Sequence, residues 1–97
     1  MKVRWSDNAV HELDEILSFI AERNVSAAEA VADLIWERTR LLGEFPLAGH
    51  KTDFTHVRAL SVVRYPFVIF HKVDDAKDEV VILSVRHTAR HDPTRSA

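Results

Sequence analysis

The sequence contains no cysteine. Disulfide bonds, a thiolate nucleophile and thiolate-bound zinc are therefore excluded, and a reducing compartment is compatible with the chain. Glycine is almost as scarce, with Gly43 and Gly49 alone, which leaves no glycine-rich turn to cradle a phosphate or a dinucleotide. Long hydrophobic runs are missing too. The longest apolar stretch is YPFVIF at 65–70, too short to span a bilayer, and the opening MKVRWSDN lacks the apolar segment of a secretory signal. The expected location is the cytoplasm. A surplus of positive charge is also lacking: 13 Lys and Arg against 15 Asp and Glu give a net charge of −2, which argues against a protein held to bulk nucleic acid by charge. The charges are uneven, with residues 1–50 at −4 and residues 51–97 at +2.

The 97 residues, 46% of them apolar, fit one compact domain spanning 1–97, with residues 93–97 as a tail. KVRW at 2–5 alternates Val3 and Trp5 with Lys2 and Arg4, the period of a short strand buried on one face. A helix follows, capped by Ser6 or Asp7, with Val10, Leu13, Ile16, Leu17 and Ile20 as its apolar stripe to about Arg23. Ser26-Ala27-Ala28-Glu29 reads as a capping box opening a second helix. Its stripe is Ala27, Val31, Leu34, Ile35, Leu41, Leu42 and Phe45, broken at Arg38. The short link between the helices makes them antiparallel. Trp36 lies about 100° from Ile35, so it is either a flank of the core or a contact for a partner.

FPLAGHKTDF at 45–54 lacks periodicity and reads as a loop. Three strands are predicted after it, at 56–63, 66–73 and 79–86, the last two forming a hairpin through DDAKD at 74–78. Phe67 and Ile69 alternate with Val68 and Phe70, so the middle strand needs cover on both faces. The order β-α-α-β-β-β implies a two-layer α+β fold, an antiparallel helical hairpin on one face of a mostly antiparallel sheet.

The densest chemistry is SVRHTARHDPTRSA at 84–97. His87 and His91 could exchange protons near neutral pH, and Arg86 and Arg90 could hold phosphate. As a metal pair, His87 and His91 lack a third ligand in register and the glutamate of a zinc-binding helix. Ser84 sits within a strand rather than on the exposed turn a serine nucleophile needs. No cofactor, metal or catalytic set is expected.

The chain resembles the RelE/ParE superfamily of type II toxin–antitoxin systems, and within it the ParE branch most. The resemblance is carried by LDEILSFIAERN and SAAEAVADLI in the helices, LLGEFPLAG after them, VRAL and YPFVIFHKV in the sheet, and VVILSVRHTARHD, in that order from Val3 to Asp92. It implies the same α+β fold and a cognate ParD-like antitoxin as partner. It also implies one of two targets, since RelE-like members cut messenger RNA on the ribosome and ParE-like members poison DNA gyrase by protein contact. RelE-like nucleases carry a tyrosine or an equivalent acid–base residue near the C-terminus, whereas the one tyrosine here is Tyr65. The ParE-like reading makes Arg58, Arg64, Arg86, Arg90 and His91 a candidate target-binding basic surface. Trp36 is the candidate antitoxin contact.

Overall fold

Ser6 sets the boundary between the first two elements. Its backbone is extended, with φ −69° and ψ 158°, and its hydroxyl accepts from the Ala9 amide at 3.1 Å, so one strand ends and a helix begins there. The computed structural model describes residues 1–88 and arranges them as β1 (Lys2–Trp5), α1 (Asp7–Ala21), α2 (Val25–Glu44), β2 (His50–Lys51), β3 (Arg58–Ser61), β4 (Phe67–Asp74) and β5 (Glu79–His87). The predicted tail at 93–97 lies outside the described residues.

The five strands form one sheet in the order β1-β5-β4-β3-β2. β1 runs parallel to β5, with Val3 opposite Val80 and Trp5 opposite Ile82, and every other pairing is antiparallel. Placing the first strand beside the last requires the helical hairpin to cross one face of the sheet. That face carries the main core: Val31, Ile35 and Leu42 of α2 and Ala9 of α1 meet Leu60, Val62, Phe67, Ile69, Val80, Ile82 and Val85. Fully burying side chains such as Ile35, Leu42, Ile69 and Ile82 contributes about 2 kcal/mol each. The alternate residues of β4, Val68 and Phe70, join Ala59 in a second, smaller cluster flanked by Val57 and Leu83. Both faces of the middle strand are covered, as its alternation requires.

Several local expectations change. The second helix is capped by Asn24, whose side chain accepts from the Ala27 amide at 3.0 Å, so Ser26 lies inside the first turn and the capping box is not the start. With the helix starting at Val25, the Glu29 amide that Ser26 would have served falls within the helix's own hydrogen-bond ladder and is no longer an orphan. On α1 the buried residue is Ala9 rather than Val10, which stays exposed. Val10 falls about 80° from the centre of the stripe formed by Leu13, Ile16 and Ile20. Phe45 closes α2 and is exposed rather than part of its stripe. The expected loop at 45–54 contains the two-residue β2, and β3 is shorter than 56–63.

Candidate protein-interaction surfaces

The two edges of the sheet are built differently, and the predicted site residues divide between them. β1 pairs with β5 only as far as Ile82. Beyond that point the outer edge of β5 is met by the first turns of α1. The Leu83 carbonyl accepts from the Ser6 hydroxyl at 3.2 Å and from the Asn8 side-chain amide at 3.0 Å. Glu12, on the core-facing side of α1, takes the next residues: its carboxylate accepts from the Ser84 hydroxyl at 2.6 Å and the Val85 amide at 3.3 Å, and pairs with the Arg86 guanidinium at 3.2 Å. Arg86 Nε also donates to Ser84 Oγ at 2.9 Å. A half-buried carboxylate with an arginine and two further donors is a strong, charge-assisted cluster. Its chemistry is structural, because the Glu12 carboxylate is already committed to Arg86 and the Val85 amide. His87 beside it stacks edge-on against Phe67, with ring centroids 5.5 Å apart.

At the opposite edge, β2 pairs with Arg58 and Ala59 of β3 and no further. The approach is close because Gly49 adopts φ +86°, and a Cβ there would lie 2.1 Å from the Ala59 carbonyl oxygen. Only glycine fits, which explains one of the two glycines in the chain. Arg58 Nη2 donates to the Gly49 carbonyl at 3.2 Å, while its buried Nε has no partner among the described residues. Across the sheet from Arg58 lies His71, fully buried, with neither ring nitrogen hydrogen-bonded among the described residues. Burial pushes the His71 ring down to about 4; the Ala48 carbonyl opposes this and Arg58 adds to it.

Two grooves open on this same side. One, of about 490 Å³, has Leu47, Phe54, Val57 and Val73 as apolar walls and Lys51, His56 and Arg58 beside Asp53 and Asp75. The other, of about 380 Å³, runs along the outer flank of α2 and is lined by Leu34, Glu37, Arg38, Arg40, Leu41, Glu44 and Val63. Arg38 reaches from α2 to the Ser61 carbonyl at 3.2 Å, just beyond the reach of β2. Leu47, Phe54 and Val63 are all more than half exposed, so this side presents apolar surface.

Of the predicted basic residues that the structure describes, Arg58 and Arg86 are set apart on different strands and in different local networks. Arg58 anchors the loop to β3, exposed Arg64 sits in the β3–β4 turn with φ 77°, and Arg86 is tied to Glu12 on the far side of β4. Arg90 and His91 lie outside the described residues. Trp36 is 61% exposed, which removes it from the core, yet it sits about 200° around α2 from Leu34 and does not line the α2 groove. Glu12 was missed as an organising residue. The available signal was a carboxylate three residues from Ala9 and four from Ile16, on the apolar side of an amphipathic helix. Among the described residues no cluster of His, Asp and Glu could hold a metal ion, and no helix is long and apolar enough to cross a membrane.

Comparison with known proteins places this architecture. The Sinorhizobium fredii protein Y4kP is 28% identical over 92 residues, covering 95% of this chain and 93% of its own. Among solved structures, the chromosomal ParDE toxin–antitoxin system of P. aeruginosa superposes with a TM-score of 0.79 at 24% identity, over 90% of this chain and 95% of that one. The isolated RelE toxin of E. coli superposes with a TM-score of 0.60 at 15% identity, over 94% and 87%. The RelBE2 toxin–antitoxin complex of Mycobacterium tuberculosis gives 0.57 at 21% identity, over 89% and 95%. The family described as the ParE toxin of the type II toxin–antitoxin system parDE matches residues 3–92, a span that takes in both helices, the whole sheet and the Gly49 loop. The chain belongs to the ParE toxin family of type II toxin–antitoxin systems.

Proposed function

We propose that this toxin acts by binding DNA gyrase and that a ParD-like antitoxin neutralises it by folding along its surface. The observation that carries the reading is the state of the two sheet arginines, Arg58 and Arg86. Arg86 is held by Glu12 and Ser84, and Arg58 donates to the Gly49 carbonyl. Guanidinium groups engaged by the chain's own acceptors are poorly placed to stabilise charge developing on a phosphate. The net charge of −2 supports the same reading, since entry to the ribosome favours a basic protein. For the antitoxin, the groove in which Leu34, Leu41 and Val63 lie among Glu37, Arg38, Arg40 and Glu44 suits an amphipathic segment that orders on binding, and Trp36 offers a second contact on α2.

Ribosome-dependent cleavage of messenger RNA is the alternative reading, and one feature favours it. Lys51, His56 and Arg58 line one groove, where a histidine could move a proton and two cations could meet phosphate. Asp53 and Asp75 in the same groove oppose an anion. Two assays on the purified toxin separate the readings. Gyrase with supercoiled plasmid should yield linear DNA, while translating ribosomes should leave messenger RNA intact by primer extension. Codon-linked cuts with gyrase unaffected would reverse the assignment.

A further inference from the structure

One cross-strand row of the sheet reads Lys51, Arg58, His71, Ile82. Paired residues of neighbouring antiparallel strands share a face, so the histidine ring lies in line with two permanent cations. The remaining elements against it supply no negative charge: the segment 45–51 contributes the Ala48 carbonyl, β5 contributes Ile82, and Arg58 is the one group among the described residues whose charge bears on the ring. Asp53 and Asp75 share the groove with Lys51 and Arg58, but His71 is not one of its walls. The ring is completely buried, and neither nitrogen has a hydrogen-bond partner among the described residues. A neutral imidazole tolerates this setting, with the Ala48 carbonyl as the one backbone acceptor near the ring. An imidazolium does not, because it would be a third positive charge in the row, shut away from water, with the Ala48 carbonyl as its backbone acceptor and no anion opposite it.

The segment that covers this row is held lightly. Ala48 packs against the core cluster, Gly49 approaches the Ala59 carbonyl, Arg58 holds the Gly49 carbonyl, and β2 adds a two-residue pairing. Lifting it would let water reach the ring and relieve Arg58 while leaving the β4–β5 pairing and the helical hairpin in place. We propose that His71 is an acid-sensitive latch beneath residues 45–51, with a neutral ring keeping the segment seated and a protonated ring releasing it.

The direction follows from proton linkage. The closed ring titrates near 4 and an exposed one near 6.5, so the open state binds the proton more readily and gains as pH falls between those values. The latch is fully closed above about pH 7. Between pH 8 and pH 5 the open fraction should rise about 30-fold.

Amide hydrogen exchange on the full chain, corrected for the intrinsic rate, reads this at His50, paired with Ala59 across the β2–β3 contact, and at Thr52, whose amide bonds to the Val57 carbonyl. Their protection should fall about 30-fold across that range while staying weaker than that of β4 and β5 throughout. His71→Leu should abolish the dependence. Unchanged protection at those two amides, equal protection in the segment and in β4–β5, or a full dependence retained in His71→Leu would each overturn the latch. Should the leucine variant fail to fold, the ring is followed directly by NMR in the unmodified protein: titration well below 6 supports the latch, and titration at 6.5 or above in the folded state refutes it.

Discussion

The two edges of this sheet face the same hazard, since an unpaired strand edge invites other chains to pair with it, and they meet it in opposite ways. At β5 the first turns of α1 finish what β1 leaves uncovered, with Ser6, Asn8 and Glu12 engaging Leu83, Ser84, Val85 and Arg86. At β3 the cover stops after Arg58 and Ala59, and a single arginine, Arg38, meets the Ser61 carbonyl. Exposed Leu47, Phe54 and Val63 and both grooves lie on that second side. One edge is closed by polar bonds that span more than 70 residues of sequence. The other keeps apolar surface accessible. The asymmetry leaves one edge tied to α1 and the other open to contact.

Breaking the closed edge should have the largest effect. Glu12→Ala leaves the Ser84 hydroxyl, the Val85 amide and Arg86 without their shared acceptor, and should cost about 3 kcal/mol in urea denaturation. A loss within 0.5 kcal/mol of zero would show that water replaces the carboxylate and that this edge is no more tightly bound than the other. Gly49→Ala attacks the open edge, where a methyl group meets the Ala59 carbonyl at 2.1 Å on a positive-φ backbone. Because that segment can move as a unit, the loss should be limited to about 2 kcal/mol, with the β2 amides exposed in hydrogen exchange and those of β5 unchanged. Loss of protection across the whole sheet would make the two edges equivalent. The smallest effect on stability belongs to Val63→Asp and Trp36→Ala, since both side chains are more than half exposed and surface changes usually stay within about 0.5 kcal/mol. Here calorimetry with the cognate antitoxin is the readout. Weakening of about tenfold or more by Val63→Asp, beyond that from Trp36→Ala, would assign the main contact to the α2 groove; the reverse order would assign it to the Trp36 face.

The order of elements was legible because each long element carries its own period. Leu13, Ile16 and Ile20 announce a helix, and the alternation through Phe67, Val68, Ile69 and Phe70 announces a strand that needs cover on both faces. Features that rest on a pair of residues were not. β2 is two residues long, too short for any period, and exists because Gly49 lets the backbone reach β3. The start of α2 was misplaced by two residues because two polar side chains, Asn24 and Ser26, each suit a cap, and only geometry chooses between them. Among the site residues, the charge of Arg86 is visible in the sequence, but its partner Glu12 is not, since no local rule joins residues so far apart. The helical period sets Trp36 and Leu34 on different sides of α2, but it left open whether Trp36 flanks the core, and packing decides this at 61% exposure.

The parallel pairing of β1 with β5 has a consequence for synthesis. Residues 2–5 are made well before residues 79–82, their neighbours in the sheet, so this strand waits unpartnered while everything between them is translated. Neither the central strands nor the ground under the helical hairpin can be completed until residues 79–87 have been made. A growing chain of this kind cannot present its finished surface ahead of time, and any partner that reads the assembled sheet encounters a newly completed molecule rather than a partial one.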